Sequence, residues 1–192
     1  LRDNVLCIPT IFVSYNGETL DKKAPLLKSA EAISKQATRI VYLFKDKDIK
    51  HVNAMVGLEQ EYFLIDKELY LQRKDLVHTG RTLFGSMPPK SMDIRGHYFG
   101  SIPARVQEFM TEVAEELWKL GIYAKTEHNE VAPCQFEIAP LFIDANVAVD
   151  QNLIIMDVLK KKADKHGMAC LLHEKPFQGV NGSGKHNNWS LV

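Results

Sequence analysis

The sequence is poor in the features that mark several specialised classes of protein. It has three cysteines, Cys7, Cys134 and Cys170, and no Cys-x-x-Cys pair, so neither a disulfide framework nor a zinc site is expected. Its 24 Lys and Arg residues balance 24 Asp and Glu residues, which leaves no basic field for nucleic acid or anionic lipid. No apolar run approaches the roughly 20 residues of a membrane span. We therefore expect a soluble, cytoplasmic protein without nucleic-acid or membrane partners.

The ends of the chain predict an internal piece of a longer protein. The sequence opens on Leu1 rather than Met and stops at Val192, directly after a polar motif. Its length of 192 residues would suffice for one domain, and 45% apolar with 25% charged residues is ordinary for a globular one.

Hydrophobic periodicity predicts helices that alternate with strands. Helices are predicted over residues 25–44, 101–121 and 145–166. Strands are predicted over residues 5–15, 51–66, 122–129, 135–142 and 168–173. The polar connection 79–97 is longer than most loops and is either functional or partly mobile. Strands that pair locally and alternate with helices indicate the α+β class.

A glycine-rich loop leads into an extended polar segment near the end of the chain. Glycines at 179, 182 and 184 allow backbone N–H groups to turn toward an anion. Period two then places three polar side chains on one face: His186, Asn188 and Ser190. This combination is typical of a site for phosphate and a metal ion.

A phosphate-binding P-loop is the first alternative for this segment. Gly179, Gly184 and Lys185 fit the spacing GxxxxGK, but His186 stands where the pattern requires Ser or Thr for magnesium. The polar residues 175–178 also separate the loop from the strand predicted upstream. Both departures disfavour the P-loop.

Four glutamates on predicted strands form a second pattern. Glu59 and Glu61 stand two apart and so share one face of a strand, where like charges are stable only in water or around cations. A solvated edge strand is the alternative for this pair alone. Glu130 and Glu137 flank a turn signal at Pro133, so a hairpin would bring them together. With His186, the oxygen-rich set suits Mg²⁺ or Mn²⁺.

In combination these motifs resemble glutamine synthetase, and in particular its long-subunit bacterial type III form. The resemblance rests on Glu59-Gln60-Glu61, on Glu130-Val-Ala-Pro-Cys-Gln-Phe-Glu137, and on the run from Lys175 to Ser190. It extends to residues 1–14 and to His97-Tyr-Phe-Gly-Ser-Ile-Pro103. Type III subunits are several times longer than this chain.

The resemblance implies the glutamine synthetase catalytic-domain fold, with a curved, mainly antiparallel sheet backed by helices and incomplete in this chain. Residues 1–192 would form part of one catalytic domain, with the N-terminal part reaching into the junction with a preceding domain. The family shares each active site between neighbouring subunits, so a large ring-based homo-oligomer is expected.

The resemblance also implies two divalent metals, Mg²⁺ or Mn²⁺, at each site. Five ligands would come from this chain: Glu59, Glu61, Glu130, Glu137 and His186. Glu61, Glu130 and Glu137 match the metal nearer the glutamate, and the other two match the metal nearer the nucleotide phosphates. Glu61 and Glu130 also match substrate-binding positions and, with Asn181, catalytic ones.

Further positions match the family's contacts to its substrates. Asn181 and Gly182 match the loop that borders the substrate glutamate. Asn188 and Ser190 match positions next to ATP, and Phe142 is a candidate for contact with adenine. The family's arginine clamps, its flap glutamate and its ammonium-binding aspartate are not identifiable, so we expect these 192 residues to be inactive alone.

The implied activity is ATP-dependent ligation of ammonia to L-glutamate through γ-glutamyl phosphate. One alternative is a sister ligase that makes other γ-glutamyl amines and keeps the metal motifs. The other is a non-catalytic relative that binds metal or nucleotide. The four intact glutamates disfavour the second alternative.

Overall fold

The paired glutamates Glu59 and Glu61 lie near the middle of a long strand, β1 (Ala54–Asp66). The structure is a computed structural model that describes residues 4–44 and 48–192. It divides into two units. The first consists of Leu1–Gly57, Phe142–Gln151 and Asn187–Val192, and the second of Leu58–Leu141 and Asn152–His186.

The described residues form helices and mainly antiparallel strands, which agrees with the α+β class. The helices are α1 (Lys23–Leu43), α2 (Lys67–Gln72), α3 (Lys74–Thr79), a π-helix (Ile94–Tyr98), α4 (Ala104–Lys119) and α5 (Ala145–Lys165). The remaining strands are β2 (Ala124–Asn129), β3 (Gln135–Pro140), β4 (Ile143–Asp144), β5 (Met168–Leu171) and β6 (Lys185–Leu191).

Most elements predicted from periodicity are confirmed, with shifted ends. The three predicted helices appear as α1, α4 and α5, and the strands predicted over 51–66, 122–129, 135–142 and 168–173 appear as β1, β2, β3 and β5. The helix predicted from residue 101 begins three residues later, with Pro103 as the N-cap of α4 and no side-chain hydrogen bond at that end.

The predicted strand over residues 5–15 is wrong for the residues that the structure describes. They form isolated bridges and no strand, at Val5 and at Val13, which pairs with Thr19 across a turn in which Gly17 has a φ of 84°. The alternating apolar side chains, including Ile8 and Phe12, are 70% and 62% exposed. A strand needs a partner for its backbone groups along its length, and the described residues of this segment form no continuous ladder with a neighbour.

The first unit is organised around α1. The carboxylate of Asp21 accepts the N–H of Ala24 at 2.9 Å at the start of the helix, and this bond lowers the pKa of Asp21. Farther along α1, the Ser34 hydroxyl accepts the N–H of Val52 at 3.0 Å and lies 2.9 Å from Nδ1 of His51. These bonds fix the segment that leads into β1 against the helix.

The second unit contains an antiparallel sheet in the order β2, β3, β1, β5. In this register Glu61 pairs with Glu137, and Phe63 pairs with Gln135 on one side and with Leu171 on the other. Strand β1 is therefore central, so the solvated-edge alternative for Glu59 and Glu61 is wrong.

One face of this sheet is covered by α4 and by residues 152–165 of α5. Tyr62, on the face opposite to Glu61, is fully buried and its ring lies 6.1 Å from that of Phe109 on α4. Ile138 on β3 and Ile155 on α5 are buried in the same cluster. Burial of such side chains contributes about 1.5–3 kcal/mol each, and it holds the glutamate-bearing strands against a rigid helical layer.

None of the helices in the described residues is both long and apolar enough to span a membrane.

The predicted hairpin between Glu130 and Glu137 is confirmed as β2 and β3. The N–H of Glu130 donates to the carbonyl of Gln135 at 2.8 Å and closes the turn. Cys134 within the turn has a φ of 60°, in the left-handed region that favours glycine. The turn therefore carries local backbone strain at a position between two of the candidate site residues.

Replacing Cys134 with glycine is expected to stabilise the protein by about 0.5–1 kcal/mol, because relief of the left-handed strain exceeds the added freedom of the unfolded chain. Cys134→Val should destabilise it by about 1–2 kcal/mol, because a β-branched residue tolerates positive φ poorly. Chemical denaturation of the three proteins would measure both changes. Equal midpoints would show that the turn is not strained.

Candidate metal centre

Three adjacent strands bring acidic and imidazole side chains into one row. Glu61 on β1 pairs with Glu137 on β3, and Glu137 pairs in turn with His128 on β2. Directly opposed residues of antiparallel strands have their Cβ atoms about 5 Å apart on the same face. The register therefore brings these side chains close together. Glu130 lies two residues after His128 in the sequence.

His186 lies at one end of this row, at the start of β6. Its Nδ1 is 3.2 Å from Oε2 of Glu59 and 3.6 Å from Oε2 of Glu137, and its Nε2 is 3.9 Å from Oε1 of Glu61. Three of these residues, Glu59, Glu137 and His186, place potential ligand atoms within 4.8 Å of one another. The sequence motifs that carry them lie far apart, and the fold joins them.

A second group of potential ligands centres on His128. Its Nε2 is 3.0 Å from Oε1 of Glu130 and 3.3 Å from Oε1 of Glu137. Sequence reasoning assigned no role to His128. The signal was available, because His128 stands two residues before Glu130 and so shares its face of the strand.

Glu137 belongs to both groups and is the most perturbed carboxyl of the row. Burial raises the pKa of Glu137 to about 7, and the charges of Glu59, Glu130 and Glu61 add to this effect. Burial also raises the pKa of Glu130, with the charge of Glu61 in support and His128 in opposition. Carboxyls that oppose one another's ionisation would be stabilised together by a cation.

The glycine loop contacts the row through Gly184. Its N–H donates to Oε2 of Glu61 at 2.6 Å, and its carbonyl accepts the N–H of Glu61 at 3.1 Å. At Gly182 a Cβ atom would collide with the carbonyl oxygen of Glu174, so only glycine fits there. The loop is followed by strand β6, not by the helix that a P-loop requires, so the P-loop alternative is wrong.

The other predicted site residues fall into two places. Asn181 and Gly182 lie in the second unit, where the carbonyl of Gly182 accepts a hydrogen bond at 2.9 Å from the side chain of Gln135. Asn188, Ser190 and Phe142 lie in the first unit and are exposed. Their assignment to ATP stays a prediction.

The donor set fits divalent magnesium or manganese. It offers carboxylate oxygens from Glu59, Glu61, Glu130 and Glu137, and hard cations prefer oxygen. Imidazole nitrogen is a softer donor that transition metals accept more readily, so His128 and His186 fit Mn²⁺ better than Mg²⁺. The buried position of Glu61 and Glu137, 8% and 6% exposed, would exclude much of the competing water.

Two family models match the chain. Residues 35–192 match the model of the glutamine synthetase catalytic domain. Residues 1–29 match the model of the glutamine synthetase type III N-terminal region. The two matches thus account for most of the chain.

Curated proteins similar to this chain are named glutamine synthetase. The chain is 56% identical over 191 residues to glutamine synthetase of Butyrivibrio fibrisolvens, covering 100% of this chain and 27% of the relative. It is 53% identical over 188 residues to type-3 glutamine synthetase of Dictyostelium discoideum, covering 97% of this chain and 25% of the relative. The chain thus spans about a quarter of the length of these relatives.

A solved structure shares the fold. The cryo-EM structure of Plasmodium falciparum glutamine synthetase aligns with a TM-score of 0.64 at 20% identity, covering 93% of this chain and 36% of that one. The predicted α+β fold of the catalytic domain is therefore confirmed. The chain belongs to the glutamine synthetase family, and it matches the type III N-terminal model over residues 1–29 and the catalytic-domain model over residues 35–192.

Proposed function

We propose that the protein is a glutamate–ammonia ligase, which uses ATP to join ammonia to the γ-carboxylate of L-glutamate and releases glutamine, ADP and phosphate. The observation that carries the proposal is the convergence of four glutamates with His128 and His186 on one face of the sheet. Such a site suits phosphoryl transfer between two anionic reactants.

Two divalent cations, Mg²⁺ or Mn²⁺, fit the arrangement. Glu61, Glu130 and Glu137 would hold the one nearer the glutamate, and Glu59 with His186 would hold the one nearer the nucleotide phosphates. When bound, the cations supply charge neutralisation between the γ-carboxylate and the γ-phosphate of ATP. Glu137 is positioned between both groups and would couple them.

The protein's own residues would bind and orient the substrates. Asn181 and Gly182 border the position proposed for glutamate, and Asn188, Ser190 and Phe142 are proposed to contact ATP. Attack of the γ-carboxylate on ATP gives γ-glutamyl phosphate and ADP, and ammonia then displaces phosphate from the acyl carbon. Water must be excluded during this interval because acyl phosphates hydrolyse readily.

The setting of the site follows from the same proposal. Residues 1–192 would belong to one catalytic domain, with the N-terminal part at the junction with a preceding domain. The protein would act in the cytoplasm as a large ring-based homo-oligomer. These 192 residues alone would be inactive, because further substrate-binding groups are required.

Phosphate release from ATP by the intact protein tests the proposal. It should depend on glutamate, on Mg²⁺ and on ammonium, and polyamines should not replace ammonium. Release with a polyamine alone would instead indicate a sister γ-glutamyl-amine ligase. No release with any amine would indicate a non-catalytic relative that binds metal or nucleotide.

A further inference from the structure

Gln135 is a buried polar side chain that no step proposed above uses. It lies at the start of β3, two residues before Glu137, and is 2% exposed. Its side-chain nitrogen donates to the carbonyl of Gly182 at 2.9 Å and to the hydroxyl of Ser183 at 3.2 Å. Both N–H groups of the amide are thereby used, so this residue has no donor left for a ligand.

The segment that Gln135 holds is also held from two other directions. The N–H of Ser183 donates to the carbonyl of Glu174 at 2.8 Å. The next residue, Gly184, forms two hydrogen bonds with Glu61. Its N–H donates to the Glu61 carboxylate, and its carbonyl accepts the backbone N–H of Glu61. The loop therefore connects a buried amide on β3 with the carboxylate on β1.

We propose that Gln135 is a positioning residue, which fixes the loop 181–184 so that Gly184 orients the Glu61 carboxylate and Asn181 and Gly182 face the substrate glutamate. This inference rests on the proposed function and deepens it, since it names a residue that acts on glutamate binding without touching glutamate. An amide is required because it presents two donors to two acceptors. A carboxylate has none to offer, and a methionine of similar size has none either.

Loss of both donors would leave the half-buried carbonyl of Gly182 and the buried hydroxyl of Ser183 without this partner, and the loop would move to find water. Movement of Gly182 carries Gly184 with it, because they are separated by one residue. The bond from Gly184 to Glu61 would then weaken. The effect should fall on glutamate and on the metal beside it, more than on ATP.

Gln135→Met in the intact protein tests the proposal, with Gln107→Met, an exposed position on α4, as the matched control. We expect the KM for glutamate to rise about tenfold or more, which corresponds to the loss of one net hydrogen bond, while the KM for ATP changes less than about threefold. Ser183→Ala, which removes one of the two acceptors, should give a smaller rise. The double variant should show less than the sum of both effects, because the two side chains share a bond.

Hydrogen–deuterium exchange across residues 180–184 provides a readout that needs no activity. Gln135→Met should raise exchange there about tenfold, and Gln107→Met should not. If the wild-type protein releases no phosphate while exchange rises as expected, the proposed function fails but the positioning role of Gln135 stands. Unchanged exchange, or equal increases in the KM for glutamate and ATP with a fall in thermal midpoint, would overturn the positioning role. Should Gln135→Met not fold, Ser183→Ala carries the same two readouts.

Discussion

Replacing Glu61 with alanine is expected to abolish glutamine formation, with a loss of about 10³-fold or more in kcat. Glu61 is 8% exposed, faces Glu137 across the sheet and accepts the N–H of Gly184 at 2.6 Å. The substitution would remove one negative charge from the proposed metal centre and leave the half-buried N–H of Gly184 without its acceptor. The lost charge would weaken metal binding and the lost hydrogen bond would displace the glycine loop, and both effects would lower kcat.

Glutamate-dependent phosphate release, measured across a Mg²⁺ titration, would check this result. Glu108→Ala on α4, an exposed glutamate outside both potential ligand groups, is the matched control and should retain normal turnover. Near-normal turnover of Glu61→Ala with unchanged Mg²⁺ dependence would contradict the assignment of Glu61 as a metal ligand.

A second substitution separates the two causes. Glu61→Gln keeps an oxygen acceptor for the N–H of Gly184 but removes the negative charge. If charge at the metal dominates, Gln and Ala should be equally inactive. If loop position contributes, Glu61→Gln should retain more affinity for glutamate than Glu61→Ala.

Periodicity in the sequence was sufficient to predict the helix and the strands that position the side chains of this site. The apolar stripe of α4, with Phe109 and Val113 fully buried, has the spacing of a helix that packs on a sheet. The two-residue spacing of Glu59 and Glu61 correctly placed both on one face of a strand. Pro133 correctly indicated the turn between β2 and β3.

The errors arose where structure depends on distant partners. Residues 5–15 alternate as a strand should, but in the described structure they form isolated bridges and no continuous ladder with a neighbouring strand. The two-residue strand β4 forms only because Val56 and Met55 lie beside it, and no local pattern marks such a short strand. Local periodicity predicts on which face of a strand a side chain lies. The register of strand pairing determines which residues of other strands lie beside it.

The shared role of Glu137 could not be predicted from spacing either. Its motif separated it by seven positions from Glu130, which indicated a hairpin but not the depth of burial. Its proximity to His128 follows from the pairing of β2 with β3. Its proximity to His186 follows from the bonds that join Gly184, just before β6, to Glu61, which pairs with Glu137. These contacts are long-range properties of the chain.

Glu137→Gln is expected to change stability and activity in opposite directions. The pKa of Glu137 is raised from an ordinary value near 4.5 to about 7, so the folded state holds this proton more tightly than the unfolded state does. Its contribution to stability is fully present below about pH 4.5 and is lost as pH rises through 7. Without metal at pH 8, the glutamine variant should therefore be more stable by about 2 kcal/mol, after allowance for screening by water.

Added Mg²⁺ should reverse that order. A ligand that binds only the folded protein stabilises it by about 2.7 kcal/mol at a hundred times its Kd, and the wild type should gain this while Glu137→Gln gains little. The variant should also lose about 10³-fold in kcat. Thermal midpoints of both proteins at pH 5 and pH 8, each with and without Mg²⁺, would show whether the order of stability reverses.

Glu127→Gln is the matched control for this experiment. Burial raises the pKa of Glu127 to about 7 as well, but Glu127 pairs with the core residue Ile138 and belongs to neither potential ligand group. It should gain stability at pH 8 as Glu137→Gln does, yet keep its response to Mg²⁺ and its turnover. If both variants responded equally to Mg²⁺, the raised pKa of Glu137 would reflect burial and the neighbouring carboxylates, and Glu137 would not be a ligand of the cation. If only Glu137→Gln lost its stabilisation by Mg²⁺ and its turnover, Glu137 would be a ligand of the metal ion. The cost of burying its charge would then be offset by metal binding.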